Sequence, residues 1–219
     1  MHTNRFSFLL VALLIFILGV PIAVDVDLVS LKLARILGVT CLLAIGIWSL
    51  RGAGRRLFVF GMATVIVGIG LNLASVLHQD NVLHIASMLA ILLFVCIAIF
   101  NAFRDILIGN EINSNRIVGA VCVYLLLGVI WSILYDVLEF LQPGAFKGLT
   151  QSASAAWSPD WLYFSFVTIT TLGYGDITPV SQTARSLAFA EAVVGQFYIA
   201  ILVAGLVSAY ISEKQGNSS

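Results

Sequence analysis

Long apolar runs recur along this chain, each near the 20 or so residues that a helix needs to cross a hydrocarbon core about 30 Å thick. They lie at roughly Phe6–Val24, Leu28–Leu50, Leu57–Leu77, Val82–Phe103, Ile117–Phe140 and Thr183–Ile211. Backbone in lipid must satisfy its own polar groups, so runs of this length read as helices. The predicted fold is an all-α integral membrane protein with six transmembrane helices. Short polar breaks separate the first five, "DVD", "RGAGRR", "HQDN" and "RDILIGNEINSNR". A mean hydropathy of +1.05, with 60% hydrophobic and 10% charged residues, excludes a soluble globule. Lys+Arg equals Asp+Glu at 11 each, which gives no basis for nucleic-acid binding. Cys41, Cys96 and Cys122 each lie inside an apolar run and form no C-x-x-C pair, so neither a disulfide framework nor a zinc site is expected. With no metal-ligand cluster and no phosphate-cradling loop, the chain reads as no enzyme and calls for no cofactor.

Basic residues set the expected orientation. With the N-terminus inside, the inner ends hold seven (Arg5, Arg51, Arg55, Arg56, Arg104, Arg116, Lys214) and the outer ends four (Lys32, Arg35, Lys147, Arg185). The outer ends also gather Asp25, Asp27, Asp80, Asp136, Glu139, Asp160 and Asp176. Both termini are expected in the cytoplasm, in a multi-pass plasma-membrane protein. Arg5 before an apolar stretch resembles the start of a signal peptide, but "GVPIAVDVD" offers no convincing small-x-small cleavage site.

Between the last two spans stands "TITTLGYGDITP", Thr168 to Pro179, polar and punctuated by glycine. Irregular backbone at membrane depth is tolerated only where protein buries it or a water-filled cavity takes it. Pro159–Thr171 is too short to span, so the segment from Ser158 to Pro179 reads as a re-entrant element. Ser158 caps a helix, Pro159 suits its first turn and Asp160 complements the dipole. The predicted helix "PDWLYFSFVTITT" descends about 18 Å. Gly173 and Gly175, alternating with Leu172 and Tyr174, then let the chain return with its carbonyls turned one way. A ring of such carbonyls replaces the hydration shell of a cation.

"TTLGYGD" resembles the selectivity filter of potassium channels, and the resemblance covers Ile117–Ile211. It implies potassium sites at the carbonyls of Thr171, Leu172, Gly173 and Tyr174 with the Thr171 hydroxyl, and Gly175 closing the motif. Asp176 stands at the outer mouth, and the Tyr174 ring packs on the pore helix. The same geometry implies a homotetramer, one filter strand per chain. Where many relatives carry a Trp pair, this chain has Tyr163, whose hydroxyl is expected to bond Asp176, and Phe164, which keeps only shape. Val167 stands where some bacterial relatives have Glu, which bears on inactivation rather than selectivity. Thr168 and Thr170 complete the filter support.

In the inner helix, Gly195 lies at the distance from the filter where relatives carry a bending glycine. Close packing of helices is an equal alternative, and Gly205 is a second candidate. The implied pore stripe is Gln196, Ile199, Val203 and Val207, in which Gln196 wets the cavity and the valines form a constriction. Glu191, a lone charge in a span, is expected to hydrogen-bond a pore-helix threonine such as Thr168.

The first four helices, residues 1–110, resemble a voltage-sensor domain without its arginines, and 111–219 form the pore domain. "VLHIASMLAILLFVCIAIFNAF" has no Arg or Lys before Arg104, so classical voltage gating is absent. Lys32 and Arg35 are expected to snorkel or pair with Asp25 and Asp27. His78 and His84 read as exposed helix-end histidines rather than pH sensors. Only "SEKQGNSS" follows Ile211, too little for a soluble ligand-binding domain. The leading reading is a passive, potassium-selective channel. The alternatives are a non-conducting or regulatory subunit or membrane scaffold, and a weakly selective cation channel.

Overall fold

The computed structural model describes residues 5–26, 33, 40, 55–78, 80–108, 114–150 and 158–216. Among them five helices are long and apolar enough to cross a bilayer: Phe6–Asp25, Leu57–Ser75, Val82–Arg104, Ile117–Leu141 and Gln182–Leu202. The expected second span falls almost wholly outside the described residues, and Lys32, Arg35 and Cys41 lie outside them too.

The first span begins as α1, Arg5–Leu14, relaxes into a π-helical turn at Ile15–Gly19 and continues as α2, Val20–Asp25. Pro21 explains the wider turn. It has no N–H to give the preceding turn and its ring crowds the carbonyl there, so the helix unwinds locally. Helices α3, Arg55–His78, and α4, Asn81–Ile108, form a hairpin. Helix α4 runs past Arg104, so the polar break before the next span is shorter than its composition suggests. Helix α5, Ser114–Leu141, packs on both α4 and α1.

Strand β1, Phe146–Lys147, follows, then α6, Pro159–Ile169, β2, Thr178–Pro179, and α7, Gln182–Gly216. The two strands pair antiparallel, a small ribbon that an all-α reading omits. It ties the loop after α5 to the segment leaving the glycine motif, and the N–H of Val180 adds a bond to the Ala145 carbonyl at 2.8 Å. One apolar core, including Leu13, Phe16, Val65, Phe94, Cys122, Ile133 and Leu162, joins the front helices to α5 and α6. A second holds Tyr135, Phe146, Trp161 and Phe164 around the upper part of α6.

His84 departs from its expected exposure. It is 6% exposed, and its Nε2 lies 3.7 Å from Oδ2 of the equally buried Asp136, bridging α4 and α5. A ring at a helix end is buried once another helix packs over it. His78 is exposed.

Candidate functional site

The site is built on α6. Ser158 is extended (φ −101°, ψ 147°) and its side chain accepts the N–H of Asp160, while Pro159 opens the first turn. Asp160 stands at the positive end of the helix, where its Oδ2 also accepts from the N and Oγ1 of Thr150 at 2.9 and 2.7 Å.

The other end of α6 stops in a left-handed turn. The N–H of Thr171 bonds the Thr168 carbonyl at 2.9 Å, and that of Leu172 bonds the Val167 carbonyl at 3.0 Å. This pair of bonds is a Schellman cap, whose left-handed position usually belongs to glycine. Here it is Thr171, at φ 59°. A β-branched residue in that region carries strain of about 1–3 kcal/mol. The helix therefore ends at Ile169, two residues before the expected Thr171. Thr170 closes it, its hydroxyl donating to the Phe166 carbonyl at 2.6 Å.

Beyond the cap the sign of φ alternates. Thr171, Gly173 and Gly175 lie at 59°, 58° and 81°, whereas Leu172 and Tyr174 are not positive. Successive carbonyls of an ordinary strand face opposite sides. Alternating left-handed residues turn every second peptide over, the backbone habit that keeps carbonyls on one side. Below, Gln196 Nε2 of α7 donates to Thr171 Oγ1 at 3.4 Å. Beside the strand, the Tyr163 hydroxyl donates to Asp176 Oδ2 at 2.5 Å. That bond pushes the phenol up to about 12 and holds the Asp176 carboxyl below the usual carboxylate range.

Helix α6 is held from two sides at glycines. A Cβ on Gly128 of α5 would stand 2.8 Å from the Phe166 ring, and one on Gly195 of α7 would fall on the Ile169 carbonyl. This contact supports close packing over bending for Gly195. Gly205 has nothing within 4 Å. Phe164 is buried edge-on to Tyr135 and Phe146, at ring-centroid distances of 4.9 and 5.4 Å.

Glu191 is 0% exposed, but its partner is not Thr168. Its Oε1 meets Ser165 Oγ at 2.5 Å and its Oε2 the Tyr135 hydroxyl. Thr168 lies one turn further along α6, beyond this carboxyl's bonds. In the single chain Tyr174 is 66% exposed and Leu172 is 55% exposed. Ile199 is partly exposed, while the side chains of Val203 and Val207 lie outside the described residues. Reading the sequence missed Ser165, Tyr135 and Gly128. A lone carboxyl in a span signals a buried hydroxyl partner, but Tyr124, Ser132 and Tyr135 on α5 and Ser165 and Thr168 on α6 all compete for that place.

Residues 119–212 match the family model described as "Ion channel". Among curated proteins, "Two pore potassium channel a" of Oryza sativa subsp. japonica is 35% identical over 103 residues, covering 47% of this chain and 26% of the relative. "Two pore potassium channel b" of the same plant is 34% identical over 113 residues, 51% and 29%. "Two-pore potassium channel 3" of Arabidopsis thaliana is 45% identical over 56 residues, 26% and 13%. The matched stretches thus span less than a third of these relatives' own length. No solved structure matches. Residues 119–212, which hold the capped short helix, the alternating backbone and nearly all of the two flanking spans, are thus similar to the ion-channel family, and the chain is similar there to relatives that bear the name potassium channel.

Proposed function

We propose that the chain forms a potassium-selective channel of four identical copies, with 111–219 as the pore domain and 1–110 as a sensor-like domain without gating arginines. The observation that carries the reading is the alternation of φ along Thr171–Gly175, which suits a strand whose carbonyls line an axis. Leu172 and Tyr174, bare in one chain, suit contact with neighbouring copies around that axis. The negative end of α6 reaches the base of the strand, a favourable field for a cation. Potassium is the permeant ion, the pore is passive, and its orientation puts both termini in the cytoplasm of a plasma-membrane protein.

The test is flux from liposomes holding purified protein, with potassium and sodium compared and Gly173→Ala and Gly175→Ala alongside. Potassium flux at least tenfold above sodium, lost in both variants, is the expected result. Equal flux of the two ions overturns selectivity, and no flux from a folded tetramer favours the silent-subunit reading.

A further inference from the structure

The contacts of Glu191 do not balance if it is a carboxylate. The Ser165 hydroxyl carries one proton and lies 2.5 Å from Glu191 Oε1 and 2.7 Å from the Gly128 carbonyl. A carbonyl only accepts, so the serine proton goes to Gly128. Glu191 Oε1 must then be the donor to Ser165 Oγ. On the other side the Tyr135 hydroxyl donates to Oε2. Every group in the chain Tyr135–Glu191–Ser165–Gly128 is satisfied once the carboxyl holds a proton on Oε1. With an ionised Glu191, two acceptors would face each other, at 2.7 Å on the Gly128 side or at 2.5 Å on the Glu191 side.

We propose that Glu191 is a neutral carboxylic acid and a positioning residue, whose single proton links the inner helix α7 to α6 and, through Ser165, to α5. The inference rests on the channel reading for its functional half. Ser165 lies two residues before Val167, whose carbonyl receives the bonds that fix Leu172 and Gly173. The proton chain therefore sets the depth and rotation of the helix that ends in the filter.

Among the described residues nothing nearby compensates a negative charge: no Lys, Arg or His stands within ion-pair distance of Glu191. From α5 it faces Tyr135, and Tyr124, whose hydroxyl donates to the Ile169 carbonyl at 3.3 Å. On α6, Tyr163 is engaged with Asp176, and Arg185 of α7 gives its Nε to the Pro179 carbonyl. Ionisation leaves a buried charge without a cation. Conduction therefore falls as pH rises far enough to remove the proton.

Two measurements test this on the full-length protein. The infrared carbonyl band of a protonated carboxyl is present in the wild type at neutral pH, disappears on alkalinisation and is missing from Glu191→Gln. Potassium flux falls at least tenfold in Glu191→Ala, is largely restored in Glu191→Gln, whose amide donates and accepts at the same two places, and becomes flat with alkaline pH in the latter. A neutral-pH spectrum with no band assignable to Glu191 overturns the proposal. So does Glu191→Gln that fails to fold, or that behaves like Glu191→Ala. The band without wild-type flux at any pH overturns the channel reading and leaves the proton in place.

Discussion

Thr171 occupies a backbone position that glycine would hold without strain, and it does so at the first position of the strand where its hydroxyl meets Gln196. Strain of about 1–3 kcal/mol at such a place signals that the side chain is needed. Asp176 shows a similar dependence on one hydroxyl. Its carboxyl is held low by Tyr163, so the ionised form and its bond are present above the ordinary carboxylate range and are lost as pH falls through the lowered value. With Tyr163→Phe, Asp176 takes up its proton at higher pH. The acid limb of the flux profile, recorded with pH varied on the outer side, then shifts upward; an unchanged limb would detach Asp176 from conduction. The Tyr163–Asp176 pair was legible through the resemblance to potassium channels, which sets Tyr163 where many relatives carry a Trp. The partner of Glu191 was not. Thr168 and Ser165 are three residues apart on one side of the helix, and only the depth of packing decides between them.

Among the elements, the five described spans were legible from length and apolarity, and the start of α6 from Ser158-Pro159-Asp160. Its end was misplaced because the usual stop signal is glycine and this helix stops at two threonines. The ribbon of two-residue strands is too short to show alternation. The glycines of α7 divide by what surrounds them. Gly195→Ala pushes α7 off the Ile169 carbonyl and is expected to destabilise by about 1–3 kcal/mol. Gly205→Ala meets nothing and gains helix propensity of about 1 kcal/mol. Thermal melts of the two variants in detergent should move in opposite directions; equal melts would leave Gly195 with a role in bending rather than packing.

For the whole molecule, the buried His84–Asp136 pair joins α4 to α5, a meeting that single-helix patterns do not reveal. His84→Leu removes the imidazole beside a buried carboxylate, at an expected cost of about 3–5 kcal/mol, and the double change with Asp136→Leu restores most of it. Denaturation of the three proteins side by side checks the coupling; additive losses would mean that the two residues act separately. The bare faces of Leu172 and Tyr174 bear on inheritance as much as on structure. If each pore draws one strand from each of four copies, a faulty copy spoils the pores it joins as well as its own share. A cell making sound and faulty chains in equal numbers would keep roughly one pore in sixteen fully intact, so damage to this short segment would behave as dominant.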